Sequence, residues 1–107
     1  MIQINKDKWN IMFVPFNHNI LQRSNNTLSF ATCDTSTKTI YINNDLRGKF
    51  LKKVLYHEIT HAVIFSYNVE LTVNQEELFA NLFSVYGDEI TYITNTIFNT
   101  MQKKLPI

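Results

Sequence analysis

Between Leu46 and Ser66 the apolar residues Phe50, Leu51, Val54, Leu55, Ala62 and Phe65 recur at spacings near three and four. That periodicity predicts a helix with one face turned to a core. Asn44 or Asp45 precedes it and offers a short side-chain oxygen to cap the free N–H groups of the first turn. Gly48 weakens that turn without breaking the helix. A second helix is expected from Gln75 to about Tyr86, opened by Asn74, with Leu78, Phe79, Leu82, Phe83 and Tyr86 as its apolar face. Gly87-Asp88 reads as its end or a bend. Asp88 then caps a last helix from Glu89 to about Lys104, whose buried stripe is Ile90, Ile93, Ile97, Phe98 and Met101. Upstream the pattern changes to that of strands. Lys8 to Val14 is rich in aromatic and branched side chains and is stopped by Pro15. Leu28 to Cys33 and Lys38 to Asn43 flank the turn residues Asp34-Thr35-Ser36-Thr37 and make a hairpin. Phe16 to Thr27 reads as connection, with Ile20-Leu21 able to anchor a short helical turn. The fold class expected is α+β, with a small antiparallel or mixed sheet of about three strands packed on about three helices.

Composition narrows this to one domain spanning residues 1–107, since a chain of 107 residues supports one core. The hydrophobic content is 45% and only two glycines and two prolines interrupt the pattern, which excludes a disordered chain. The net charge is +1, and apart from Lys52-Lys53 and Lys103-Lys104 the basic residues are scattered. No footprint for nucleic acid results. Cys33 is the single cysteine, so no internal disulfide forms, and it reads as a small hydrophobe. The amino terminus lacks the succession of a secretory signal, and no apolar run approaches the ~20 residues that span a bilayer. A soluble, cytoplasmic protein is expected. His18, in a polar segment, reads as a surface residue.

The candidate chemistry lies in the middle of the first long helix, at His57-Glu58-Ile59-Thr60-His61. Positions four apart lie one turn apart on the same helical face, so both imidazoles reach a single metal ion. Glu58 sits beside that face, where its carboxylate can take a proton from water during metal-assisted hydrolysis. A catalytic zinc needs three protein ligands and an open position, and the next helix offers Glu76 and Glu77 as the third. Glu77 is favoured because Asn81 follows one turn later on the same face and Ala80 permits close helix approach. It has an alternative role: with Asn74 as cap, Glu77 is the third helical residue, where glutamate folds back onto the cap N–H. Glu76 likewise suits the positive end of a helix dipole.

His57-Glu58-Ile59-Thr60-His61 followed by Glu77-Leu78-Phe79-Ala80-Asn81 resembles the gluzincin arrangement of the ImmA/IrrE-type metallopeptidases, from about Leu28 to Tyr86. Thr60 stands where that family frequently has glycine. The resemblance implies a minimal, stand-alone zincin-like domain that binds zinc through His57, His61 and Glu77. It further implies Glu58 as the residue that activates water and Asn81 as the partner that orients a ligand. The activity so implied is that of a zinc-dependent endopeptidase acting on a protein, in the manner of relatives that cut small transcriptional repressors. The alternative is a catalytically silent module that keeps the fold and binds a protein partner. Retention of Glu58 speaks against that alternative, because a structural zinc site has no need of a base. Thr39 to Asn43 is the strand whose edge is expected to receive a substrate segment. Tyr41, Tyr56, Tyr67, Tyr86 and His18 are the candidates for stabilising an oxyanion.

Overall fold

Asn5, with a φ of 55°, turns the chain back between Ile2–Ile4 (β1) and Asp7–Val14 (β2), setting Ile2 opposite Trp9 and Ile4 opposite Asp7. Asparagine tolerates this left-handed conformation better than most residues, which suits it to the turn. The computed structural model describes residues 1–22 and 29–104. The expected start of the hairpin at Leu28, and the end of the connection at residues 23–27, lie outside them. Ala31–Asp34 (β3) and Thr39–Asn43 (β4) pair antiparallel as the expected hairpin. The Asp34 carboxylate shapes its turn by accepting from the backbone N–H and the hydroxyl of Ser36. β4 also runs parallel to β2, from Asn10 opposite Thr39 to Val14 opposite Asn43. Residues 15–38 make the crossover that a parallel pair demands, and include a single helical turn at Asn19–Leu21.

Among the described residues the result is a mixed four-stranded sheet in the order β1-β2-β4-β3, with two α-helices, Gly48–Ser66 (α1) and Val73–Lys104 (α2). The class is α+β as the pattern implied, with one more strand and one fewer helix. The additional strand, β1, is three residues long, too short to show a period of two. β4 lies between β2 and β3 and is hydrogen-bonded on both sides, so Thr39 to Asn43 has no free edge for a substrate. The outer strand on that side of the sheet is β3.

The core forms where α1 crosses the sheet. Ile4, Trp9, Ala31, Ile40, Ile42 and Ala62 are buried together, with Leu51, Val54, Leu55 and Ile59 of α1 packed against them. Each fully buried branched side chain here contributes about 1.5–3 kcal/mol relative to exposure. Trp9 cannot hide its indole N–H without a partner, and it donates to Ser66 Oγ at 2.8 Å. Asn5 Nδ2 donates to the Ser66 carbonyl oxygen at 3.0 Å, so the first hairpin is tied to the C-terminal end of α1.

The helix boundaries correct two expected caps. α1 begins at Gly48, with φ +60°, after an extended Arg47 that makes no side-chain cap, so neither Asn44 nor Asp45 serves that role. The positive φ explains the glycine. α2 is capped by Thr72, two residues ahead of the expected Asn74. Thr72 Oγ1 accepts from the Gln75 N–H at 3.2 Å while Gln75 Oε1 accepts from the Thr72 N–H at 2.9 Å. Gln75 thus fills the reciprocal capping position that had been the alternative role for Glu77.

Gly87-Asp88 does not end a helix, because α2 continues through it. Gly87 is buried against Tyr56 of α1, and a Cβ there would stand 2.6 Å from Tyr56 Cε1. Asp88 is not a cap either. Its carboxylate accepts from the Tyr56 hydroxyl at 2.9 Å and pairs with Lys52 Nζ at 2.9 Å, holding the ring across the glycine. The buried residues of α2 are therefore the small ones, Ala80 and Gly87, while Leu78, Phe79, Leu82, Phe83 and Tyr86 keep large exposed fractions. Ile90, Ile93, Ile97, Phe98 and Met101, expected as a buried stripe, are also exposed. The two helices approach through short side chains, and the larger ones flank the seam.

Gly87→Ala therefore sets two effects against each other. Helix propensity favours alanine by about 1 kcal/mol, whereas forcing a methyl into the Tyr56 ring costs about 1–3 kcal/mol. The variant is expected to unfold at lower denaturant concentration than the parent. The same change made on a Tyr56→Ala background is expected to stabilise. A Gly87→Ala variant more stable than the parent would show that the close contact is not limiting. No helix of the described residues is long and apolar enough to cross a membrane.

Candidate metal centre

The middle of α1 presents His57 and His61 one turn apart, and the first turns of α2 bring Glu76 and Glu77 to the same place. The two His Nε2 atoms are 3.2 Å apart. Glu77 completes the set, with Oε1 at 3.1 Å from His61 Nε2 and Oε2 at 3.4 Å from His57 Nε2. Two imidazole nitrogens and a carboxylate turned to one point repel one another unless a proton or a cation stands between them. The spacings suit a cation: a tetrahedral ion with bonds of ~2.0–2.1 Å holds its ligands about 3.3 Å apart. Among the described residues, His57, His61 and Glu77 are the group able to hold a metal ion. The Glu77 side chain is 49% exposed while that of His61 is 14%, so the centre is anchored on the α1 side and open on the other.

Glu58, the residue after the first histidine, is buried, with Oε2 at 3.8 Å from His57 Nε2. It is close to the converging ligand atoms without being one of the three. Glu76 has a role that spacing did not disclose. Its Oε2 lies 2.5 Å from His61 Nδ1, the ring nitrogen opposite the one that faces His57 and Glu77. An Nδ1–H donated to this carboxylate fixes the tautomer and leaves the Nε2 lone pair for a metal. The fixed direction of a helical side chain from consecutive residues explains why Glu76 and Glu77 address different atoms of one imidazole.

These residues line a cavity of about 480 Å³ together with Ala31, Thr32 and Cys33 of β3 and Thr35 of the following turn. Burial, followed by the charges of Glu58, Glu76 and Asp34, pushes the Cys33 thiol up to about 12. It stays protonated at neutral pH, which keeps it from acting as a nucleophile. Asn81 lines an adjoining cavity with His57, Glu58, Phe30 and Phe50. None of Tyr41, Tyr56, Tyr67, Tyr86 and His18 is among the described residues lining the cavity at the histidines. Tyr56 points to Asp88, and His18 accepts from the Ile20 N–H while stacking on Tyr41.

Comparison of the chain with protein-family models, curated proteins and solved structures returned no match. The reading of the centre rests on its own chemistry. Removing the Glu76 carboxylate as Glu76→Ala is expected to weaken metal binding about 10–100-fold, because the His61 ring loses its orienting acceptor. Competition titration against a chromogenic chelator measures it, and unchanged affinity would leave Glu76 with no part in holding His61.

Proposed function

We propose that the chain is a zinc-dependent endopeptidase. The observation that carries this reading is the convergence of His57, His61 and Glu77 within 3.1–3.4 Å of one another, with the buried Glu58 carboxylate beside them. Two nitrogens and a carboxylate form the donor set of an open zinc site, in which an unfilled position serves a reactant. Zinc, when bound, supplies Lewis acidity toward water and the scissile carbonyl. The chain's own residues do the rest. Glu58 takes a proton from the water whose oxygen attacks the carbonyl carbon, then delivers it to the amide nitrogen as the carbon–nitrogen bond breaks. Glu76 keeps His61 in register, and Asn81, one turn beyond Glu77 on α2, steadies the ligand set from the side of His57.

A substrate segment is received along β3, the outer strand of the sheet and a wall of the cavity. An extended peptide adds to such an edge through main-chain hydrogen bonds, which sets its carbonyls beside the metal ligands. The substrate is a protein, with small repressors the class suggested by resemblance, and a cytoplasmic setting goes with it.

The test is cleavage of casein and of a panel of small repressors by protein purified without chelators. Cleavage is expected to stop when 1,10-phenanthroline strips the metal and to return when zinc is restored. Cleavage that persists after the metal is removed would rule the mechanism out.

A further inference from the structure

α2 outruns α1. Lys52, in the second turn of α1, already meets Asp88, and α2 continues to Lys104, roughly 24 Å further along its axis. This overhang helps give the molecule a long dimension of 56 Å against 30 and 28 Å. Along it Ile90, Ile93, Ile97 and Met101 stand about half exposed. The first three continue the alternating four-and-three spacing of Phe79, Phe83 and Tyr86, which is the seam of a coiled coil. From Ile90 to Gln102 no Asp, Glu, Lys or Arg occurs. Charge returns at the two ends, as Asp88-Glu89 and Lys103-Lys104, and Glu89 and Lys103 stand two heptads apart and so at the same position flanking the seam.

That order is complementary to its own reverse. When a second copy of the helix is laid alongside in the opposite direction, Ile93 meets Ile97, Ile90 meets Thr100 with Met101 flanking it, and Glu89 comes near Lys103. A parallel pair would set like charge beside like at both ends. We infer that residues 89–104 of α2 form an antiparallel, two-fold helix pair with the same segment of a second chain, the axis passing near Asn95. The interface is isologous: each copy gives the same stripe and receives it. Most of it lies beyond the first turn of α1, away from His57, His61 and Glu77, so both metal centres stay open in the dimer. The pairing does not rest on the proposed peptidase activity.

Sedimentation equilibrium of the full chain over the micromolar range tests the pairing. The mass is expected to rise with concentration from 12.6 kDa to twice that value. Ile97→Asp is expected to hold the chain at the monomer mass while circular dichroism and metal retention stay unchanged, since the side chain is exposed in the monomer. Glu89→Lys alone and Lys103→Glu alone are each expected to weaken the dimer roughly fivefold, and the two together to restore it. Monomer at every concentration, or a dimer that survives Ile97→Asp, overturns the inference. A dimer that the double reversal fails to restore overturns the antiparallel register.

Discussion

Glu58→Gln is expected to lower cleavage about 10²–10⁴-fold while the protein keeps its metal. Glutamine has nearly the same volume and fits the same buried position, so neither packing at α1 nor the histidine geometry changes. What is lost is the ability to accept a proton. The carboxylate lies 3.8 Å from His57 Nε2, close enough to serve a reacting water at the centre. Turnover within tenfold of the parent, at equal metal content, would move the base elsewhere, with Glu76 the nearest other acid.

The second large effect is on the metal itself. His61→Ala is expected to lower zinc affinity by roughly a thousandfold or more, a per-ligand share of the 10–16 kcal/mol that structural zinc sites reach. His61 is the centre's hub: its Nε2 faces both His57 and Glu77, and its Nδ1 takes Glu76. Truncating it removes one donor and leaves two carboxylates facing each other across the gap. Glu77→Ala is expected to cost less, because its side chain is half exposed and water can take its place. Dialysis against a metal buffer followed by elemental analysis separates the two variants. Equal retention by His61→Ala and the parent would remove the histidine pair from the site.

Much of this centre was legible along the chain, because His57, His61 and Glu77 are fixed by helix periodicity and a short connection. The division of labour between Glu76 and Glu77 was not, since it depends on which face of an imidazole each carboxylate reaches. The cap assignment failed for a related reason. Asn74 and Thr72 are both good caps by type, and only the reciprocal bonds of Thr72 with Gln75 decide between them. Gly87 carries two meanings, helix end and close approach, and its neighbour Tyr56 lies 31 residues away in the chain. The stripe from Ile90 to Met101, expected to be buried, is exposed. Periodicity cannot say whether the cover comes from the same chain, and within the described residues it does not. The parallel pairing of β2 with β4 likewise had no local signal, and it moved the accessible edge from Thr39–Asn43 to Ala31–Asp34.

X-ray absorption at the zinc edge, on protein purified without chelators and containing one ion per chain, examines the ligand set directly. Two imidazoles and carboxylate oxygen at ~2.0–2.2 Å, with no sulfur, is the result expected for His57, His61 and Glu77. Cys33 lines the same cavity and supplies the contrasting outcome. A scatterer at about 2.3 Å would mark a bound thiolate and contradict the centre described, as would a protein that retains no metal.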